Sequence, residues 1–401
     1  MFSRPLKKFR VIDLTNVLSG PFCGYLLANM GAQVIKVEVP ESGDLARQLG
    51  ASPELNKNKM GASFLAQNAG KKSLTINLKT AAGKKLFEKL IRTADVLIEN
   101  FRPGVMTRLG LGFDDLKLIN PKLIYCAISG FGATGPLRYL PAYDQIIQGL
   151  SGVMSITGDS SSAPLRVGYP IADTIGGMSA AFAIAATLAG RNGETDEAVF
   201  IDVSMLDSTM STMGWVVSNY LIAGKDPIPM GNDNFTASPS GTFQTGDGPL
   251  NIAANKQEQF EKLCELLGLP ELTTDPHFSQ RQLRLQNRQE LKQLLEQALK
   301  SKSAEAWEEE LSSAGVPAGR VLSVPEALNH PHMRDRGMIG HFDNVPRVGN
   351  VDVFRPGFKL NGLSPQVDTP PPLLGQHTDE MLTDLGLTAE DIAALRQEKV
   401  V

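Results

Sequence analysis

The fold follows from the segment Phe9-Arg10-Val11-Ile12-Asp13-Leu14, whose short run of apolar and β-branched residues predicts a strand. Gly20-Pro21 then predicts the start of a helix that continues through Met30. The next apolar run, Gln33-Val34-Ile35-Lys36-Val37-Glu38, predicts a second strand. A strand, a helix and a strand in this order indicate a parallel pair joined by a right-handed crossover.

The same alternation continues through the first 200 residues of the chain. Further strands are expected at residues 73–78, 94–99, 123–128 and 198–205, and further helices at residues 81–93 and 206–223. Alternating strands and helices predict an α/β fold with a Rossmann-like parallel sheet. Ligands of such sheets bind beyond the carboxyl ends of the strands.

Two common nucleotide motifs are missing from this pattern. The segment Asn16-Val17-Leu18-Ser19-Gly20-Pro21 follows the first strand, where a dinucleotide-binding protein has Gly-x-Gly-x-x-Gly. No Gly-x-x-x-x-Gly-Lys-Ser/Thr sequence occurs either. A nicotinamide-dependent dehydrogenase and a P-loop nucleotide enzyme are therefore both disfavoured.

The alternation of predicted strands and helices ends near residue 224. Residues 1–224 are predicted to form the large domain, residues 225–325 a smaller α+β domain, and residues 326–401 a return that packs on the large domain. Expected later elements are a strand at 250–254, helices at 257–267 and 287–313, a strand-like stretch at 345–360, and helices at 378–385 and 388–398. Thr388 and Asp391 are spaced for a capping box on the last helix.

Composition narrows the class of protein. The chain has 401 residues, of which 42% are hydrophobic and 20% charged, with a net charge of −4. This charge argues against partners such as nucleic acid or an anionic membrane. No secretory signal and no apolar run of membrane-spanning length are expected. Three widely spaced cysteines argue against disulfides and zinc, so a reducing, cytoplasmic location is expected.

Asp173 is the most informative single residue. It lies in Gly168-Tyr169-Pro170-Ile171-Ala172-Asp173-Thr174-Ile175-Gly176-Gly177-Met178, ahead of an Ala-rich helix expected at 179–189. The pattern places its carboxylate at a strand-to-helix turn, and the two glycines would let a ligand approach the backbone. The carboxylate is either a helix N-cap or a nucleophile in a ligand crevice, and the local pattern leaves both roles open.

Several segments resemble the class III coenzyme A transferases, the CaiB/BaiF type that includes formyl-CoA:oxalate CoA-transferase. The same family includes the 2-methylacyl-CoA racemases. The matching segments follow the family's order from one end of the chain to the other: Val11-Ile12-Asp13-Leu14-Thr15, Met30-Gly31-Ala32-Gln33-Val34-Ile35-Lys36-Val37-Glu38, Ala94-Asp95-Val96-Leu97-Ile98-Glu99-Asn100-Phe101-Arg102-Pro103-Gly104, Ser129-Gly130-Phe131-Gly132, Pro141-Ala142-Tyr143-Asp144 and Pro372-Leu373-Leu374-Gly375-Gln376-His377-Thr378.

The resemblance implies an enzyme in which Asp173 attacks an acyl-CoA thioester. A mixed anhydride would form first, and an aspartyl-CoA thioester would follow. Both intermediates react with water, so the site must be dry. Coenzyme A would be a substrate, with no permanently bound cofactor. The family also implies an interlocked homodimer.

The resemblance further implies which residues bind coenzyme A. They are Val17, Leu18, Ser19, Ile76, Asn77, Leu78, Lys79, Asn100, Phe101, Arg102 and Arg108, with Ser129, Gly130 and Phe131 along the route to the thioester. Arginine and lysine suit the phosphates, although each is equally typical of a solvated surface. Arg47 is a further candidate, and the backbone N–H groups at 129–131 could stabilise an oxyanion.

Racemases of the family use a His–Asp pair, whereas this chain has Tyr143-Asp144 at that place. A tyrosine is a poor base at neutral pH, so acyl exchange is favoured over proton transfer. Tyr143 would instead donate a hydrogen bond near the substrate or pack as a buried aromatic. Arg166 is the candidate cation for a carboxylate substrate, expected to be a small carboxylic or dicarboxylic acid. A non-catalytic CoA-binding protein is the remaining alternative.

Overall fold

The structure is a computed structural model that describes residues 4–191 and 197–401. The chain divides into two compact units. The first comprises Met1–Val153, Arg166–Gly224 and Pro331–Val401, and the second comprises Met154–Leu165 and Lys225–His330. Residues 154–165 thus belong to the second unit, although the sequence pattern places them within the large domain.

A six-stranded parallel sheet forms the centre of the first unit. Its strands are β1 (Arg10–Asp13), β2 (Gln33–Glu38), β3 (Lys71–Thr75), β4 (Val96–Glu99), β5 (Ile124–Ser129) and β6 (Val199–Ser204). Their order is β3-β2-β1-β4-β5-β6, so the prediction of an α/β fold with a Rossmann-like sheet is confirmed. Because β1 pairs with both β2 and β4, the chain changes direction across the sheet there, and a ligand crevice is expected beside β1.

Ten α-helices accompany these strands. They are α1 (Ser19–Asn29), α2 (Pro53–Lys57), α3 (Ala62–Asn68), α4 (Ala81–Ile91), α5 (Val105–Leu109), α6 (Phe113–Ile119), α7 (Asp144–Leu150), α8 (Ile171–Ala189), α9 (Met205–Thr212) and α10 (Gly214–Ala223) within the described residues. The prediction of a single helix over residues 206–223 is wrong, because α9 ends before Met213. The Thr209 and Thr212 hydroxyls donate to carbonyls of preceding turns, which competes with helix continuation, and Gly214 has low helix propensity.

Side chains of the strands alternate between two apolar layers. Ile12 and Leu97 pack on one face of the sheet, whereas Val11 and Ile98 pack on the other. Helix α8 contributes Ala180 and other small residues to the second layer. By length and composition α8 could cross a membrane, so the prediction that no apolar run reaches this length is wrong. The buried face of α8 on the sheet is equally typical of a core helix.

Among the described residues of the first unit, three ion pairs have both side chains buried, between Lys71 and Asp13, Lys36 and Asp44, and Arg47 and Glu38. The guanidinium of Arg47 contacts both oxygens of Glu38 at 2.7 and 2.8 Å, and it stacks 3.7 Å from the centre of the Phe64 ring. The suggestion that Arg47 binds a phosphate is therefore wrong, because its donors are used inside the fold.

The second unit contains a three-stranded antiparallel sheet with helices. The strands are β7 (Ser240–Gln244), β8 (Pro249–Ala253) and β9 (Ala318–Arg320), and the helices are α11 (Gln257–Leu266), α12 (Arg281–Gln286), α13 (Arg288–Leu299), α14 (Ala304–Ser313) and α15 (Val324–Asn329). The prediction of one helix over residues 287–313 is wrong. The Ser303 side chain accepts from the N–H of Ala306 and starts α14 as a separate helix.

The tail of the chain returns to the first unit. It forms α16 (Pro331–Asp335), the hairpin strands β10 (Ile339–Val345) and β11 (Gly349–Phe354), α17 (Thr378–Asp384) and α18 (Ala389–Gln397). The predicted capping box of Thr388 and Asp391 is confirmed. The strand-like stretch was expected at residues 345–360, whereas the strands lie at residues 339–354. His377 accepts a hydrogen bond from the N–H of Ser73 in β3, which fits a structural histidine.

Candidate active site

A cavity of about 170 Å³ opens at the carboxyl ends of β1, β4 and β5. It lies at the predicted crevice beside β1. The predicted residues that line it are Val17, Leu18, Ser19, Asn100, Phe101, Arg102, Ser129, Gly130, Tyr143 and Asp173. The fold thus brings together segments that lie up to 156 residues apart in sequence, from Val17 to Asp173.

Asp173 occupies the first turn of α8, as its third residue. The expectation of a strand-to-helix turn is wrong, because residues 166–170 form no strand and the helix starts at Ile171 rather than near residue 179. The N-cap position belongs to Pro170, so the N-cap role of Asp173 is wrong as well. Its carboxylate is therefore free of the capping role and lines the cavity.

The cap of α8 is supplied by Asp144, from the start of α7. One oxygen of Asp144 accepts from the N–H of Ala172 at 2.8 Å and more weakly from the N–H of Asp173 at 3.4 Å. The other accepts from the side-chain amide of Gln148 at 2.6 Å. The Gln148 carbonyl oxygen in turn accepts from the N–H of Val167, which ties the approach to α8 to α7. This buried network fixes the first turn that carries Asp173.

The acidity of Asp173 reflects this setting. Burial raises its pKa, the negative charge of Asp144 raises it further, and a hydrogen bond from Ser19 opposes both, so the pKa of Asp173 is about 6. At pH 7 roughly nine-tenths of the side chain is then ionised. A carboxylate of raised pKa is also a stronger nucleophile than an ordinary aspartate, because nucleophilicity rises with basicity.

The loop after β1 is held rigidly beside Asp173. The backbone N–H and carbonyl of Asn16 both bond to the Asn100 side chain at 2.8 Å. The N–H of Val17 donates to the buried carboxylate of Asp44 at 2.9 Å. Val17 has a φ of +68°, an unusual conformation for a β-branched residue. These contacts hold a strained backbone at the cavity wall, and they occupy the Asn100 amide that the resemblance assigns to coenzyme A.

Gly176 and Gly177 have a different role from the one expected. A Cβ atom on Gly177 would lie 2.4 Å from the carbonyl oxygen of Ser19 in α1, and one on Gly176 would lie 3.0 Å from the Met205 side chain. The two glycines therefore permit close packing of α8 against α1 and α9. The expectation that they let a ligand approach the backbone is wrong, because protein atoms fill that space.

Several predicted coenzyme A residues lie outside the cavity. Ile76 is buried in the core, Leu78 packs against that core, and Lys79 is exposed. The N–H of Asn77 donates to the carbonyl of Val400 at 2.7 Å. Because β3 ends at Thr75, earlier than predicted, these four residues follow the strand, and Ile76, Asn77 and Leu78 pack near Val400.

Three other predicted residues are also not part of the cavity wall. Phe131 packs against the apolar layer that includes α8. Arg108 is exposed on α5 and lines a second, larger cavity of about 710 Å³. Arg166 is exposed and absent from the linings of both cavities, so the structure gives no support for a role in binding a carboxylate.

The second cavity adjoins the first, because Phe101, Pro103 and Ser129 line both. Its other walls are aromatic and acidic. Glu99 lies among them with its side chain buried, and burial raises the pKa of Glu99 to about 7 despite the N–H of Phe101. Arg108 is the one cation among the described residues of this lining, which also contains Glu99, Asp114, Asp115 and Asp202.

Sequence reasoning missed part of the cavity lining. Asn16, Arg138, Leu140, Ala142 and Met205 also line it. Arg138 could have been found, because it is a single cation in the Gly- and Pro-containing loop after β5, where sheet topology places ligands. The role of Asp144 had a weaker signal, namely its four-residue spacing from Gln148 on one helix face.

The arrangement of charged groups in the cavity suits nucleophilic chemistry. Within residues 4–191 and 197–401, no three His, Cys, Asp or Glu side chains are grouped to hold a metal ion. An ionised carboxylate projects into a small cavity with arginine side chains in its wall. A carboxylate so placed can attack an electrophilic carbonyl.

Comparison with known proteins identifies the family of the chain. Residues 6–378 match the model of a family described as CoA-transferase family III. The chain is 41% identical over 347 residues to acetyl-CoA:oxalate CoA-transferase of Acetobacter aceti, a match that covers 86% of this chain and 88% of the relative. It is 36% identical over 382 residues to succinyl-CoA:glutarate CoA-transferase of Mus musculus, covering 95% and 86%.

The fold is also similar to that of solved structures. The crystal structure of a CAIB/BAIF family protein from Brucella suis superimposes with a TM-score of 0.83 and 36% identity, covering 95% of this chain and 99% of that one. Sequence and fold therefore agree over nearly the whole length. The chain belongs to CoA-transferase family III.

Proposed function

We propose that the protein moves coenzyme A from an acyl-CoA donor to a small dicarboxylic acid, with Asp173 as the covalent nucleophile. The observation that carries this proposal is the carboxylate of Asp173, half-buried and largely ionised at neutral pH, in the cavity at the carboxyl ends of the strands. Dicarboxylic acids are named for similar proteins, as oxalate and glutarate.

The transfer of coenzyme A proceeds through four nucleophilic substitution steps. The Asp173 oxygen attacks the thioester carbonyl, which gives a mixed anhydride and releases CoA thiolate. The thiolate attacks the Asp173 carbonyl, which gives an aspartyl-CoA thioester and frees the donor acid. The acceptor carboxylate attacks that thioester to form a second anhydride. The released thiolate then attacks the acceptor carbonyl, yielding the new acyl-CoA and regenerating Asp173.

The coenzyme A substrate is placed by the loop after β1 and the segment after β4. Ser19 donates a hydrogen bond to Asp173, and the neighbouring Val17 and Leu18 line the same wall. Arg102 lines the cavity and is exposed, so its guanidinium is available for a phosphate, as is that of Arg108 on α5. Ser129 and Gly130 remain the proposed lining near the thioester.

Trapping the intermediates tests the proposal. The protein is incubated with acyl-CoA and hydroxylamine, and a hydroxamate is expected at Asp173 by peptide mass spectrometry. A panel of acyl-CoA donors and mono- and dicarboxylic acceptors is then assayed by mass spectrometry of the CoA products. Absence of transfer to every acceptor, or deuterium exchange at the α-carbon of a branched acyl-CoA instead, would contradict the proposal.

The acid limb of the pH profile follows from the same carboxylate. Because Asp173 must be ionised to attack, kcat/KM is expected to fall as pH drops through about 6, tenfold per pH unit below it. Asp144→Asn removes a charge that, after burial, helps to raise this pKa, so the midpoint of the limb should move to lower pH. A midpoint that stays in place in the variant, with the circular dichroism unchanged, would contradict the assignment.

We also propose an interlocked homodimer, as the family resemblance implies. Helix α10 is apolar on most of its surface, yet it has no buried residue: Ile222 is 86% exposed and Trp215 is 75% exposed. Large apolar patches left in contact with water are typical of interfaces. Light scattering after size exclusion is expected to give twice the chain mass, and a value equal to the chain mass would contradict the dimer.

A further inference from the structure

A second charged group shares the cavity with Asp173. Arg138 lies in the loop between β5 and α7 and is part of the same cavity wall. It is half-buried, whereas Arg102 in that wall is exposed. Burial and Asp144 raise the pKa of Asp173 and Arg138 does not counter them, so Asp173 is not the partner of the Arg138 guanidinium. The presence of this guanidinium therefore calls for an anionic ligand.

Arg138 makes no ion pair with any of the residues that the structure describes. Its Nη1 atom donates a long hydrogen bond of 3.5 Å to the carbonyl of Gly135. The guanidinium stacks 4.5 Å from the centre of the Tyr139 ring, which restrains its plane while leaving most N–H groups unused. A planar guanidinium with unused donors is suited to bidentate binding of a carboxylate.

A dicarboxylate that enters this cavity meets the negative charges of Asp173 and Asp144, so a cation is needed to bind it. Asp173 is largely ionised and Asp144 raises its pKa by repulsion. An acceptor with two carboxylates adds a further negative charge to this small space when its reacting end approaches the aspartyl thioester. A fixed guanidinium would offset that repulsion for the end that does not react.

The size of the cavity indicates which anion Arg138 meets. A volume of about 170 Å³ is below that of typical sites for drug-sized ligands, so it suits a short acid rather than a nucleotide. The phosphates of coenzyme A have two exposed cations available, Arg102 at the cavity wall and Arg108 on α5 outside the cavity. Arg138 is thus the cation placed for the acceptor rather than for the nucleotide.

We propose that Arg138 binds the non-reacting carboxylate of a short aliphatic dicarboxylate and thereby selects dicarboxylic over monocarboxylic acceptors. This inference rests on the proposed function and names the specificity residue of the same cavity. Tyr139 orients the guanidinium by stacking, and the loop between β5 and α7 carries both side chains.

The test compares Arg138→Met with the wild type, using acceptor pairs of equal carbon number. The measured quantity is kcat/KM for glutarate divided by kcat/KM for pentanoate, at saturating acyl-CoA. Arg138→Met is expected to lower this ratio by about 10- to 100-fold, mainly through KM for glutarate, since a charge-assisted bidentate contact is lost. Arg138→Lys keeps the charge and should retain part of the preference.

Arg102→Met serves as the matched control. It is expected to raise KM for acyl-CoA while leaving the ratio of the two acceptors within about twofold, because its exposed guanidinium serves a phosphate. An unchanged acceptor ratio in Arg138→Met, or a change confined to KM for acyl-CoA, would overturn the inference. Failure of the proposed function can be told apart from failure of this inference, because in that case the wild type would transfer coenzyme A to neither acid.

Discussion

Asp173→Asn is expected to lower kcat for CoA transfer by at least about 10³-fold. An amide cannot displace CoA thiolate from a thioester, so neither the anhydride nor the aspartyl thioester can form. Removal of a covalent nucleophile in a hydrolase lowers kcat by about 10⁶-fold, which places the expected loss at the large end of single-residue effects. Steady-state kinetics with the preferred acyl-CoA and acceptor, together with peptide mass spectrometry after hydroxylamine treatment, measure it.

The same variant should be more stable than the wild type at neutral pH. The pKa of Asp173 is raised from 3.8 to about 6, so the folded state disfavours the ionised side chain. Wild-type stability is therefore full below about pH 4 and declines as pH rises through about 6. Asp173→Asn has no charge to bury and does not lose this stability. Its free energy of unfolding should exceed that of the wild type by about 1–3 kcal/mol above pH 6, and the difference should vanish below pH 4.

These two readouts separate chemistry from folding. A variant that is inactive because it is misfolded would have a lower urea midpoint, whereas loss of the nucleophile alone predicts a higher midpoint at pH 7. CoA transfer at near wild-type speed in Asp173→Asn would remove the covalent mechanism. Inactivity together with a lower midpoint would leave the loss explained by structure and contradict the stability argument.

The sheet could be predicted from sequence because its signal is local. The runs that become β1 and β2 are short, apolar and rich in β-branched residues, and Gly20-Pro21 lies inside the first turns of α1. The loops after β1, β4 and β5 meet at one sheet edge, which follows from parallel topology. The candidate residues on those loops could therefore be predicted from sequence.

What could not be predicted depends on contacts between distant segments. The start of α8 at Ile171 depends on Asp144, 29 residues away from Asp173 in sequence, which bonds its first N–H groups. A charged residue is expected at the surface by default, so the sequence alone could not reveal that Arg47 is buried against Glu38. Helix breaks at Met213 and near Ser303 arise from side chains that bond to local backbone, which periodicity does not register.

Lys36→Met is expected to destabilise the first unit by about 3–5 kcal/mol, the second of the two largest effects. Lys36 is fully buried on β2, where its Nζ atom lies 2.9 Å from Asp44 and donates to the carbonyl of Thr15 at 2.7 Å. Removing the cation leaves Asp44 as a buried charge without its ion-pair partner, the situation in which breaking a buried pair is most destabilising.

The surface pair of Lys117 and Asp114 provides the matched control. Its two side chains are three residues apart on α6 and reach solvent, with Lys117 42% and Asp114 86% exposed. Lys117→Met is expected to change the free energy of unfolding by less than about 0.5 kcal/mol, because solvent screens the charges. Urea unfolding followed by circular dichroism measures both variants. Equal shifts of the two midpoints would mean that burial does not govern the strength of the pair.

A double variant shows whether the effect comes from charge. In Lys36→Met/Asp44→Asn, the amide oxygen can still accept from the N–H groups of Val17 and Ala46, while no uncompensated charge remains. It should therefore regain at least about 1 kcal/mol relative to Lys36→Met alone. Because the Asp44 oxygen holds Val17 in its left-handed conformation at the cavity wall, the double variant should also keep KM for acyl-CoA near that of the wild type. A further loss of stability on adding Asp44→Asn would show that the carboxylate is still compensated without Lys36, as Lys71 in the same buried network could do.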